Sequence, residues 1–143
     1  MTLRRMKTYT AETGYVYQYY FVGKREAMEA GAPAIEFIFD ASSDRKVTFA
    51  VSVLLPRAAL QSWAAAHGRQ LTDSEQYAAA KLRLLRGFDE VDNMLQDGRR
   101  LALDSVSLED LLAPLGSAAK RIAAAMYSSG VRPMSSVSPR LLS

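Results

Sequence analysis

Residues 34–54 read Ala-Ile-Glu-Phe-Ile-Phe-Asp-Ala-Ser-Ser-Asp-Arg-Lys-Val-Thr-Phe-Ala-Val-Ser-Val-Leu, and their alternation decides the fold. Ile35, Phe37 and Phe39 fall on one side of an extended chain, Glu36 and Asp40 on the other. Beyond the turn-forming Ala41-Ser-Ser-Asp44-Arg45, Val47, Phe49, Val51 and Val53 alternate with Thr48, Ala50 and Ser52. Successive side chains of a strand point to opposite faces, so both runs are strands with one buried face. The short polar connection joins them as an antiparallel hairpin.

Toward the N-terminus, residues 8–22 are rich in aromatic and β-branched types and read as a further strand, strongest from Tyr15 to Val22, with Gly14 as a bend or bulge. Lys24 to Ala30 reads as one or two helical turns closed by Gly31 and Pro33. Toward the C-terminus, Pro56 suits a first helical position, and Leu60, Trp63, Ala64 and His67 share a face before Gly68 caps the end. Thr72-Asp-Ser-Glu75 is a capping box. It opens a helix with the apolar stripe Tyr77, Leu84, Phe88, Val91 and Leu95, stopped by Asp97-Gly98. Arg99 to Val106 offers a strand with Leu101 and Leu103 inward, and Ser107-Leu-Glu-Asp110 starts a short helix that meets Pro114 and ends by Gly116. The order β-β-β-α-α-β-α predicts an α+β fold, an antiparallel sheet of about four strands with helices on one face.

The chain has 143 residues and a formal charge of +3. That length allows one domain with a core able to stand without disulfide or metal. With 49% apolar and 23% charged residues the composition is that of a globular protein, and no uncharged stretch is apolar enough to cross a membrane. Cysteine is absent and His67 is the single histidine, which excludes thiol chemistry and a multi-histidine metal site within one chain. The positive charge sits at the ends: Arg4, Arg5 and Lys7 in residues 1–7, and Lys120, Arg121, Arg132 and Arg140 in residues 117–143, neither segment holding an acid. The remaining 11 bases and 15 acids give residues 8–116 a charge of −4. Residues 1–7 therefore read as a basic arm, 8–116 as one domain, and 117–143 as a basic Ser/Ala-rich tail, a short helix from Ala118 to Tyr127 and then disorder. No apolar stretch follows the N-terminal charges as in a secretory signal, so the expected setting is the cytoplasm, with Met1 and Met6 both eligible starts.

The most unusual local feature is Gly-Tyr-Val-Tyr-Gln-Tyr-Tyr-Phe at 14–21. Gly14, Tyr15, Tyr17 and Tyr20 resemble part of the RNA-recognition-motif signature, while Thr13, Val16 and Gln18 depart from it. That fold places the matching strand third, after a helix; here it opens the domain, so the chain is not assigned to the family. Tyr15, Tyr17 and Tyr19 share one face, either as a binding surface or as half-buried rings with their hydroxyls at the rim. His67 is read as a helix-end residue packing near Trp63, and Lys81, inside the apolar stripe, as a lysine snorkelling past the core edge. Glu36 and Asp40, with Cα atoms roughly 13–14 Å apart on one strand, are too distant to work as an acid/base pair without a third group and read as a solvated outer face. No phosphate loop, zincin helix, nucleophile elbow or calcium loop is present.

These observations favour a small non-enzymatic interaction or regulatory domain, meeting a protein partner or its own copy through a sheet edge or the Tyr15/Tyr17/Tyr19 row with Lys24 and Arg25 beside it. No catalytic residue, cofactor or metal is assigned. The alternatives are nucleic-acid binding by the basic terminal arms and a small enzyme gathering Glu12, Glu36 or Asp40 into one pocket.

Overall fold

The computed structural model describes residues 6–44 and 46–113. The chain is α+β. Strands β1 (Lys7–Thr10), β2 (Val16–Glu29), β3 (Ala32–Ser42) and β4 (Phe49–Pro56) form an antiparallel meander. Helices α1 (Arg57–His67), α2 (Asp73–Glu90) and α3 (Met94–Asp97) then lead to β5 (Arg100–Ala102), and α4 (Ser105–Leu112) follows. The sheet order is β1-β2-β3-β4-β5, and β5 lies parallel to β4. The expected sheet of about four antiparallel strands is thus a mixed sheet of five, because a strand reached through a helical crossover returns in the direction of the one it left.

The central hairpin forms, but its second strand begins at Phe49, so Val47, expected on the buried face, lies outside it and is exposed. Phe37 lies opposite Val53 and Phe39 opposite Val51. Their faces, with Ile35 and Leu55, join Trp63 of α1, Tyr77, Leu84 and Phe88 of α2 and Leu108 of α4 in one core cluster. The capping box at Thr72 is intact: Glu75 N donates to Thr72 Oγ1 at 3.2 Å, and Thr72 N donates to Glu75 Oε1 at 2.9 Å. Gly68 closes α1 in the left-handed conformation that glycine adopts freely, φ 72°.

The N-terminal third departs from expectation. Residues 8–22 are two strands joined by a turn in which Ala11 N donates to the Tyr15 carbonyl, so Gly14, φ 97°, is a turn residue and not a bulge. The bulge lies between Phe21 and Gly23. Residues 24–30, expected to be helical, continue β2 as far as Glu29, paired residue by residue with β3. Helix propensity in Lys-Arg-Glu-Ala-Met-Glu yields to the ladder offered by a neighbouring strand. The two-residue link Ala30-Gly31, φ 53° and 80°, has the paired positive φ of a hairpin turn matched to strand twist.

Smaller shifts have local causes. Pro56 ends β4 and caps α1 instead of standing inside it. The helix expected to run to Asp97 stops at Glu90, and α3 resumes out of phase, burying Met94 and exposing Leu95. The last helix starts earlier than the Ser107 box implied, because Asp104 caps it and Ser107 reaches back.

The sheet's other face curls. Arg100 on β5 reaches across β4 and β3 to Glu29 Oε1 at 2.9 Å and the Met28 carbonyl at 3.0 Å. Four flat strands would set the outer two about 14 Å apart, beyond comfortable side-chain reach. Among the described residues, no helix is long and apolar enough to cross a membrane.

Candidate functional site: an open sheet edge and its groove

The bulge at Val22 divides β2 into two stretches with different roles. Before it, Tyr17, Tyr19 and Phe21 point into the core; Phe21 lies opposite Phe39. After it the side chains exchange faces, as one inserted residue requires. Lys24 and Glu26 now lie opposite Phe37 and Ile35 on the helix side, whereas Arg25 lies opposite Glu36 on the outer side.

The tyrosine row is therefore part of the core over most of its length. Tyr17 is 2% exposed and its ring stacks on Phe88 with centroids 4.1 Å apart. Tyr19 is 4% exposed, and burial pushes its phenol up to about 12. Only Tyr15, 51% exposed, is available at the surface. Of the residues singled out from sequence, Lys24 and Arg25 stand together at a concave surface, and the tyrosines do not join them.

That surface is a groove of about 570 Å³ beside the distal half of β2, bounded by α1 and the start of α2. Ile35 and Leu60 are its apolar lining, and Lys24, Glu26, Arg57 and Asp73 its charged rim. Arg57 holds Glu26 at 2.6 Å and Lys24 approaches Asp73 at 3.8 Å, with its ammonium 5.8 Å from the Phe37 ring. Arg25, also at the groove's edge, turns its Nε to the outer face, where it donates to Glu36 Oε1 at 2.7 Å, and Ser52 Oγ donates to Glu36 Oε2 at 2.5 Å. Glu36 is buried, not solvated as the sequence suggested, and the Arg25 guanidinium, then the Ser52 hydroxyl, hold its carboxyl below the usual carboxylate range.

Among the described residues, β1 pairs with β2 from Val16 to Tyr19. From Lys24 to Glu29, no strand among the described residues pairs with the outer side of β2. A strand carries backbone donors and acceptors toward both neighbours, so among the described residues the groups of this stretch that face away from β3 lack a strand partner, the Met28 carbonyl accepting from the Arg100 guanidinium instead, beside a groove that can take alternate side chains.

A second cavity, about 400 Å³, lies where α1 meets α4 and is lined by Trp63, His67, Arg69, Glu75 and Glu109. His67 stacks on Trp63 at 4.0 Å, as expected, and its Nε2 lies 2.9 Å from Glu109 Oε1. Arg69 grips the buried Glu75 with two bonds of 2.8 Å. Spacing alone could not find the His67–Glu109 pair, because 42 residues separate the partners. The two acids of this lining are each engaged, Glu75 by Arg69 and Glu109 by His67.

The acids considered for an enzyme do not converge. The Glu12 N–H donates to Asp89, Glu36 is held by Arg25 and Ser52, and Asp40 accepts from the Tyr20 hydroxyl at 2.8 Å. Among the described residues no group of three His, Cys, Asp or Glu side chains could hold a metal ion. Apart from Met6 and Lys7, the basic segments 1–7 and 117–143 lie outside the described residues, as does the boundary at Gly116. The chain matches no family model, no curated protein and no solved structure.

Proposed function

We propose that this protein is a non-enzymatic interaction domain that receives an extended protein segment along the Lys24–Glu29 edge of β2. The observation that carries the reading is the coincidence of an open strand edge with the groove beside it. An added strand would pair its main chain with β2 and lodge alternate side chains between Ile35, Leu60 and the charged rim. The bulge and the charges of Lys24, Arg25 and Glu26 are devices that discourage indiscriminate edge pairing. They make the edge selective. The cytoplasmic setting expected from the sequence is retained as part of this proposal.

The test is selection of extended peptides from a random display library against the full chain. Selected peptides should bind Arg57→Ala and Lys24→Ala at least about tenfold more weakly than wild type if they use the groove, about 1.4 kcal/mol. Peptides that ignore both substitutions and are lost on Glu109→Ala would move the site to the His67 cavity and overturn the reading.

A further inference from the structure

Resting on the edge reading above, we infer that the segment received by β2 is β2 of a second copy of this chain, paired antiparallel about Ala27. The edge itself selects the register. In an antiparallel pair, directly opposed residues share a face of the sheet, so a two-fold axis normal to the sheet must pass through a residue facing its own copy. Centring on Lys24, Arg25 or Glu26 sets like charges face to face, which disfavours pairing. Centring on Met28 puts Glu26 and Arg25 opposite the turn residues Ala30 and Gly31. Centring on Ala27 sets Arg25 opposite the second copy's Glu29, twice over, and Glu26 opposite its Met28.

Two further observations agree with this register. Arg25 and Glu29 both belong to the outer face, opposite Glu36 and Ala32 of β3, so the new opposite-charge pairs extend the Arg25–Glu36 and Arg100–Glu29 contacts already there. Met28 is 58% exposed, the most exposed large apolar side chain of the sheet. The pairing carries it to the second copy's Glu26, at the mouth of the groove holding Ile35 and Leu60. Ala27 is small and half-buried, which lets the two chains approach at the axis.

The experiment is sedimentation velocity of the full chain across a concentration series, with Ala27→Lys and Ala27→Glu measured alone and mixed. Wild type should show a concentration-dependent dimer, each variant alone should self-associate about fivefold or more weakly because like charges meet at the axis, and the equimolar mixture should recover a one-to-one dimer. A monomeric wild type at all concentrations, variants that dimerise like wild type, or a mixture that stays monomeric overturns the self-pairing. Circular dichroism confirms that each variant is folded. A wild type that is monomeric yet still binds selected peptides in an Arg57-dependent manner would defeat self-pairing alone; loss of that dependence as well would defeat the edge reading.

Discussion

The ring of Tyr17 lies parallel to that of Phe88 within 5°, at a centroid distance of 4.1 Å, joining β2 to the last turns of α2. Tyr9 and Tyr19 flank the same phenylalanine at 6.1 and 5.8 Å. Tyr17→Ser should therefore destabilise the fold by about 3 kcal/mol or more, the range seen when a buried aromatic ring is removed. Urea denaturation checks this. A variant as stable as wild type would mean that Tyr17 is not a core residue.

Alkaline pH should weaken the fold through its buried and half-buried phenols, Tyr9 and Tyr19 above all, with Tyr17 raised by burial as well. The Asp89 carboxylate that accepts from the Tyr9 hydroxyl at 2.7 Å, reinforced by burial, pushes Tyr9 up to about 12, and burial pushes Tyr19 to about 12. A phenol whose folded value lies above its unfolded value near 10 favours folding fully below about pH 10, and its contribution fades as pH rises toward 12. Urea midpoints measured from pH 9 to 12 should fall, and the fall should be smaller in Tyr19→Phe. Identical profiles for both proteins would contradict this.

At acid pH the sign reverses. The Arg25 guanidinium, then the Ser52 hydroxyl, hold Glu36 low; burial acts most strongly on Glu75 and pushes it up, but Arg69 and the Thr72 N–H together outweigh it and leave it low. Depressed carboxyls favour folding above their unfolded values and lose that contribution as pH falls through their folded ones. Stability should decline below about pH 4.5, and less steeply in Glu36→Gln. A Glu36→Gln variant with the wild-type acid limb would remove Glu36 from the account.

Lys81 is buried with its ammonium 5.9 Å from the Tyr19 ring, and no carboxylate among the described residues pairs with it. Burial first, and Lys7 second, push its amine below the ordinary lysine range. Lys81→Met keeps the stem's packing and removes the charge, so it should raise stability by about 1 kcal/mol at pH 7. A loss of similar size on thermal denaturation would show that the ammonium is an asset.

Ser74, in the first turn of α2, is 1% exposed and its hydroxyl has no hydrogen-bond partner among the described residues. Ser74→Ala should stabilise by about 0.5–1 kcal/mol, through helix propensity and relief of an unmet polar group. An unchanged or lowered melting temperature would point to a bond that the hydroxyl makes after all.

Sequence reading recovered the parts of this fold that local patterning controls. The alternation of 34–54 forms a real hairpin, and the signals at Gly68 and Thr72 act where they stand. Lys24–Ala30 reads as helical in sequence yet is extended, because its helix-favouring residues are overruled by a ladder with β3, a partner that no window of seven residues contains. The parallel β5 was hidden for the same reason, since its direction is set by a helical crossover. At the candidate site, Lys24 and Arg25 were visible as charges beside a strand, but the groove needed Arg57 and Leu60 of α1 and Asp73 of α2. The tyrosine pattern was real. Its meaning was decided by Phe88, some 70 residues away, which no periodicity links to it.

Backbone-amide mapping by nuclear magnetic resonance, on the labelled full chain titrated with a selected extended peptide, tests the central claim most directly. The account predicts that perturbed amides concentrate at residues 23–29 and on the groove wall near Ile35 and Leu60. Perturbations centred on His67 and Glu109, with the β2 edge unmoved, would contradict it.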